Sequence, residues 1–447
     1  MFLHHHATAP LPRYTSYPPA NRFHDGVTGE VQARWVDAIG PTDSLSLYVH
    51  VPFCAKLCWY CGCHTSIPND EARVHRFTER LLREIDLVAA HVPVSNGVCS
   101  IHFGGGTPTM LEPDALRRLL AALRSSFPMH DDADVAVEID PRTLDDARIA
   151  ALAEAGVTRA SLGVQDVDPE VQRAINRVQP TELVADRIDA LKRAGITRIN
   201  ADLMYGLPGQ TVGHVRASAD AVTELGVDRI AVFGYAHVPW FKKHQSAIDA
   251  TLLPGAQARF EQAEAVEDQL VADGYVAIGI DHFAKPEDSL AVAAREGQLR
   301  RNFQGYTDDP ADALLGFGPS AISALPDGYV QNAPHLKHWG DLVDSGQLSG
   351  VRGVQVLPED RLRRAVIERV LCDGAVDLAE VAARAGHDTA ELADAFDRLS
   401  SLVEDGLVAV DGWRVSATPM GRRYWRTIAA CFDPGLTPSA TRHSQAV

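Results

Sequence analysis

Residues 48–65 read YVHVPFCAKLCWYCGCHT: an apolar, β-branched run followed by Cys54, Cys58, Cys61 and Cys63 within ten positions. The run SLYVHVP (46–52) is built like a buried strand and is closed by proline. The cysteines therefore sit on the loop at the strand's C-terminal end, where α/β barrels carry their chemistry. Three readings of the loop compete: a disulfide knot, a zinc site or an iron–sulfur cluster. Zinc prefers two C-x₂₋₄-C pairs separated by a longer stretch, and no second pair lies nearby. Cys99, Cys372 and Cys431 are isolated and read as core thiols. Thiolates spaced C-x₃-C-x₂-C can hold three irons of a cubane and leave the fourth open to an outside ligand, so the spacing favours the cluster over zinc.

Composition narrows the choice. The chain has 447 residues, 46% hydrophobic and 23% charged, which suits one large barrel-type domain with a smaller appendage. No stretch approaches the roughly 20 apolar residues that span a bilayer. The start, MFLHHHATAPLP, has neither a basic nor an apolar leader region. A cytoplasmic location is expected, where thiols stay reduced, and this disfavours the disulfide knot. The net charge of −17 argues against nucleic-acid and membrane-surface partners, although local arginines can still bind an anionic substrate. His4–His6 form a possible metal-binding tract, for which a disordered terminus is the plainer expectation.

Five further strand-like runs follow the first: VCSIHFGGG (98–106), VAVEIDP (135–141), RASLGVQ (159–165), RINADLMYG (198–206) and RIAVFGYAHVP (229–239). Amphipathic helical patterns alternate with them; Val74, Phe77, Leu81, Ile85 and Val88 make one apolar face. Six strand–helix units imply a parallel α/β sheet, barrel-like or doubly wound. The unusual residues gather at strand ends, as functional residues do in α/β barrels, and point to one active site facing all six: the cysteine loop, GGGTP, Glu138, Gln165, Asp202 and Ala236. From residue 346 the pattern becomes helix, helix, hairpin, helix, which reads as a small, mostly helical, winged-helix-like domain whose acidic helices favour packing over DNA binding. The expected division is an N-terminal arm (1–40), a catalytic domain (41–345) and a C-terminal domain (346–447).

FCAKLCWYC (53–61) resembles the signature of radical S-adenosylmethionine (SAM) enzymes, with Tyr60 just before the third cysteine. PRYTSYP (12–18), CGC (61–63), HFGGGTPT (102–109), SLGVQD (161–166), NADLMYGLPGQ (200–210), FGYAHVP (233–239), GIDHFAKPEDSLAVA (279–293) and REGQLRRNFQGYT (295–307) narrow the resemblance to the oxygen-independent coproporphyrinogen III oxidases, from about Pro12 to Cys431. The resemblance implies a partial (β/α)6 TIM-type barrel. It implies a [4Fe-4S] cluster on Cys54, Cys58 and Cys61, with SAM on the fourth iron near Tyr48, Gly105, Glu138 and Ile322. A second SAM is implied near Tyr60, Gly106, Thr107, Gln165, Arg177, Asp202 and Ala236. Cys63 matches a family cysteine that is not a ligand. The implied reaction converts two propionates of coproporphyrinogen III to vinyl groups, giving protoporphyrinogen IX, through a 5′-deoxyadenosyl radical made from SAM. A low-potential electron donor of unknown identity and a monomeric state complete the expectation. Arg13, Arg22, His282, Arg300 and Arg301 are candidates to meet the substrate carboxylates, and the PRYTSYP arm is expected to fold over the barrel mouth. Alternatives are a radical SAM haem chaperone, which typically lacks C-G-C and PRYTSYP, a two-SAM methyltransferase or cyclopropanase, and a zinc-bearing structural protein.

Overall fold

The computed structural model describes residues 1–93 and 95–436. Its centre is the expected set of parallel strands: β1 (Leu45–Val51), β2 (Val98–Gly105), β3 (Met129–Ile139), β4 (Arg159–Gln165), β5 (Arg198–Tyr205) and β6 (Arg229–Gly234), each paired with the next. The strands β7 (Val276–Ile278) and β8 (His282–Ala284) extend the β6 edge antiparallel. A short hairpin, β9 (Arg300–Asn302) and β10 (Gly305–Thr307), stands apart from this sheet. On the opposite edge β11 (Ala313–Phe317) runs parallel to β1, with β12 (Ile322–Leu325), β13 (Gly328–Asn332) and β14 (Gly350–Gln355) added antiparallel. The row of 12 strands keeps two edges, β14 and β7, so the barrel is partial. Six parallel strands are legible in the sequence; the structure adds a seventh, the five-residue β11, and two antiparallel wings whose hairpin-linked strands need no crossover helix and so carry no strand–helix repeat.

Alternation of buried strand and amphipathic helix builds the core. The helix Glu71–Ala89 starts on Asp70, whose carboxylate accepts from the Arg73 N–H (2.7 Å), and buries Phe77, Leu81, Ile85 and Val88 against the sheet. Helix Thr181–Arg193 buries Val184, Ile188 and Leu191 the same way, and the chain then turns at Gly195 with φ 95°. One polar side chain breaks the pattern. Glu84 lies on the apolar face, 1% exposed, and accepts from Gly318 N (2.6 Å), Trp339 Nε1 (2.8 Å) and Asn332 Nδ2 (3.2 Å).

Residues 350–355, assigned from sequence to the C-terminal domain, pair with β13 as the last strand of the large sheet. Beyond them, helices Pro358–Asp373, Leu378–Ala385 and Asp394–Glu404 pack with a small sheet of β15 (Ala375–Asp377), β16 (Val408–Asp411) and β17 (Arg414–Ala417), as in a winged helix. The start of the chain joins this second core. His4–Ala7 form a helical turn rather than the loose terminus expected, and Ala7, Leu11, Tyr14 and Tyr17 are buried beside Leu362, Tyr424 and Phe432. Asp433 pins the arm: it is 1% exposed, accepts from the hydroxyls of Tyr14 (3.1 Å) and Tyr17 (3.3 Å), and pairs with Arg22. No helix among the described residues is long and apolar enough to cross a membrane.

Candidate active site

The ends of β2 to β6 and the cysteine loop line one cleft of about 610 Å³. A flat sheet would spread these ends out, so the strands must curl around a common axis. Cys54, Cys58, Cys61, Cys63, Tyr60, Gly105, Gly106, Thr107, Glu138, Gln165, Arg177, Asp202 and Ala236 all face this cleft. Two expected residues do not. Tyr48 lies beneath it, stacked on His102 (ring centroids 5.9 Å apart) with its hydroxyl 3.1 Å from His50 Nδ1. Ile322 packs with Phe23 and Tyr329 in a separate apolar cluster on the β12 side.

The loop is held in place by its carbonyls. Lys242 Nζ donates to Cys63 O (3.0 Å), Gln245 Nε2 to Tyr60 O (2.9 Å) and Asn176 Nδ2 to Leu57 O (2.8 Å), while His244 Nε2 lies 2.8 Å from Cys61 O. Gly106 lies tight against the loop: a Cβ there would stand 2.6 Å from Phe53 O, so only glycine allows the approach. Gly105 adopts φ 111°, open to glycine alone among ordinary residues. Gln165 carries φ 71° at the bulged end of β4, a strained conformation for a residue with a side chain, and it faces the cleft.

The sulfurs suit a cluster. All seven cysteines are free of disulfides. A tetrahedral zinc would draw its sulfurs to about 3.8 Å from one another, whereas no three loop thiols lie within 4.8 Å of each other among the described residues. Each of the three sulfurs accepts donors, as cluster thiolates require. Thr65 (3.0 Å) and Thr107 (3.6 Å) donate to Cys54 Sγ, Arg142 (3.5 Å) and Arg177 (3.5 Å) to Cys58 Sγ, and the Cys63 N–H (3.4 Å) to Cys61 Sγ. Donation from Cys63, against the upward push of burial, brings the Cys61 thiol down to about 6. Arg177 thus reaches both the Cys58 sulfur and Asp140 (3.5 Å), and Arg142 pairs with the same Asp140 (2.6 Å). Arg142 and the 242–245 clamp carry no sequence signal, because their partners are far away in the chain, and Thr65 carries none because a hydroxyl donating to a sulfur leaves no spacing.

Electrostatics separates the two carboxylates on the cleft floor. Burial raises the Glu138 carboxyl, but His102 (3.2 Å) and the Gly105 N–H (3.1 Å) outweigh it, and the net shift is downward. Asp202 is pushed up to about 6, by burial first and then by the Glu138 charge.

The cleft opens into a larger chamber of about 1030 Å³, and Arg13, Cys63, Phe233 and Ala236 border both. Five arginines line the chamber: Arg13, Arg259, Arg301, Arg423 and Arg426. Arg259 Nε, Arg301 Nε and Arg301 Nη1 are buried without a hydrogen-bond partner. Arg13 donates to Gly234 O (3.3 Å), and Arg301 reaches Arg13 O (3.5 Å), which fixes the arm across the rim. His282 also faces the chamber, its Nδ1 held 2.8 Å from the buried Asp281 carboxylate. Arg22 and Arg300 do not: Arg22 serves Asp433, and Arg300 donates to Pro310 O (2.9 Å) and Ala311 O (3.0 Å).

Comparison with known proteins agrees with this geometry. Residues 48–222 match the radical SAM superfamily, and residues 356–424 match the HemN C-terminal domain. An oxygen-independent coproporphyrinogen III oxidase of Bradyrhizobium diazoefficiens is 47% identical over 98% of this chain and 97% of its own length. One from Pseudomonas aeruginosa is 41% identical over 96% of this chain and 94% of its own. The structure of coproporphyrinogen III oxidase (HemN) from Escherichia coli, a radical SAM enzyme, superimposes with a TM-score of 0.90 at 38% identity, covering 95% of this chain and 98% of that one. A thiol loop at the mouth of a partial barrel, matched over nearly the full length by these relatives, places the chain in the oxygen-independent coproporphyrinogen III oxidase family of radical SAM enzymes.

Proposed function

We propose that this protein carries out the oxygen-independent oxidative decarboxylation of two propionates of coproporphyrinogen III, giving protoporphyrinogen IX. One observation carries the substrate assignment: the cysteine cleft opens directly into a chamber ringed by five arginines, three of whose nitrogen donors are buried and unpartnered. A buried N–H donor without an acceptor is costly, and a carboxylate removes the cost. A macrocycle with four carboxylates fits such a chamber.

A [4Fe-4S] cluster with SAM on its open iron supplies the one-electron chemistry that removes hydrogen from an unactivated carbon. Cys54, Cys58 and Cys61 would hold the cluster, and their hydroxyl, guanidinium and backbone donors stabilise the thiolates. Glu138 and the Gly105 backbone border the space beside it, where a carboxylate held ionised can accept from an amino or ribose hydroxyl group. In our reading a second SAM takes the part of the cleft between Tyr60, Gly106, Thr107, Gln165, Arg177, Asp202 and Ala236. Tyr48 supports the floor by packing, and Ile322 is retained as a SAM contact only through its family position. The chain's other tasks are positioning and exclusion. The arginines and His282 hold the carboxylates, while Phe233, Trp240 and Phe303 wall the chamber against water. Arg13 closes the rim from the arm. We further read the protein as a cytoplasmic monomer supplied by a low-potential donor, with a catalytic unit ending near residue 355 and a C-terminal unit beyond it.

Anaerobic incubation of the reconstituted enzyme with coproporphyrinogen III, SAM and a reductant tests the proposal. Protoporphyrin with about two 5′-deoxyadenosines per product is expected, one for each propionate oxidised. Deoxyadenosine formed without loss of CO₂ would sink the substrate assignment. Serine at Cys54, Cys58 or Cys61 should abolish iron binding, whereas Cys63→Ser should keep the iron.

A further inference from the structure

We propose that His5, His6 and Asp405 form a binding site for a borderline divalent cation of the zinc class, which latches the N-terminal arm onto the C-terminal domain. The claim concerns metal binding and stands apart from the reaction proposed above. His5 and His6 belong to the helical turn at the start of the arm, and Asp405 caps the C-terminal end of helix Asp394–Glu404, some 400 residues later in the chain. Both imidazoles aim at one atom: His5 Nε2 lies 3.1 Å and His6 Nε2 2.8 Å from Asp405 Oδ2. The three donor atoms all fall within 4.8 Å of one another, the only such group of three or more among the described residues. Zinc bonded to nitrogen and oxygen at about 2.0–2.1 Å needs donors about 3.3 Å apart, and both imidazole–carboxylate separations lie within about half an ångström of that.

Two further observations favour a cation at this point. The last carbonyls of helix Asp394–Glu404 end beside Asp405, and a helix C-terminus attracts positive charge. His6 is 7% exposed while His5 is exposed, so the cluster has a fixed inner ligand and a face open to water for the remaining coordination. Two imidazoles and one carboxylate select zinc, nickel or cobalt over magnesium or calcium. His4 takes no part, its ring lying edge-on to Phe2. The mechanical consequence follows from the fold. Ala7, Leu11, Tyr14 and Tyr17 follow His6 in the chain and all pack on the C-terminal core, while Pro10, Arg13 and Thr15 between them in sequence line the chamber. Binding that fixes His5 and His6 therefore favours the docked arm.

The test uses the full-length, cluster-loaded enzyme, whose iron occupies the loop thiols. Equilibrium dialysis against zinc ions, with iron and zinc counted together, should leave the wild type with one zinc more than His5→Gln or Asp405→Asn, at equal iron. His5 is exposed and glutamine keeps a donor for Asp405, so loss of folding does not account for that difference. Trypsin cleavage after Arg13 reads the latch. Zinc at ten times its Kd should slow cleavage about tenfold in the wild type and leave both variants unchanged. Equal zinc in all three proteins, or none in the wild type, overturns the site. Zinc bound without slower cleavage overturns the latch.

Discussion

Cys58, one of the three proposed cluster ligands, shows how a thiol is tuned by its surroundings. Its sulfur accepts from two guanidiniums, Arg142 and Arg177, themselves locked on Asp140. Positive charge beside a cluster favours its reduced form. Arg142→Met and Arg177→Met should each lower the reduction potential by about 30–60 mV, up to a tenfold shift for a one-electron couple, as read by redox titration with paramagnetic resonance. Asp202 gives a second prediction, in pH. Its folded pKa is raised to about 6, so the native state holds this proton more tightly than the unfolded chain does. Its effect is therefore absent in acid and becomes destabilising as pH rises through the window from the ordinary aspartate value to about 6. Asp202→Asn should unfold like the wild type near about pH 4 and be about 1–2 kcal/mol more stable at about pH 8, by denaturant titration. Asp202 was legible from sequence as a polar residue at a strand end. Arg142 and Thr65 were not, since hydrogen bonds to a sulfur leave no spacing in the chain.

At the level of elements, the parallel strands and their helices could be read because burial on two faces writes continuous apolar runs, and burial on one face writes a 3.6-residue period. β12 to β14 escaped because short antiparallel strands carry neither signal, and β11, though buried throughout, is only five residues long, too short for an apolar run to be told from a helix segment. Glu84 joins the two regions. It stands on the readable helix Glu71–Ala89 and takes donors from Gly318, Asn332, Trp339 and Ser349, all in the unreadable wing. Burial raises its carboxyl while those donors pull it down, and burial prevails. Glu84→Ala leaves at least three buried donors without acceptors and should cost about 3–5 kcal/mol in denaturant unfolding. Glu84→Gln, which keeps one acceptor oxygen, should fall between. The same logic places the cluster loop: its shape is set by Asn176 and by residues 242–245, so a motif that reads as self-contained is held by two distant segments.

Over the whole molecule, the arginine chamber is made by four parts of the chain: the arm gives Arg13, a helix packed beside the sheet gives Arg259, the β9–β10 hairpin gives Arg301, and the C-terminal domain gives Arg423 and Arg426. Sequence places the arm over the barrel mouth but not its anchor: the seat on Asp433 depends on three side chains meeting a buried carboxylate, which no local pattern announces. Asp433→Asn removes the charge that Arg22 pairs with and should weaken arm docking by about 1–3 kcal/mol. The expected readouts are a higher KM for coproporphyrinogen III and faster trypsin cleavage after Arg13, at unchanged iron content. Tyr14 and Asp433 are 419 positions apart. Synthesis is vectorial, so the arm emerges from the ribosome first and finds its seat last. Until translation reaches Asp433 the arm has no seat, and Arg13 cannot yet be held at the border of the cysteine cleft.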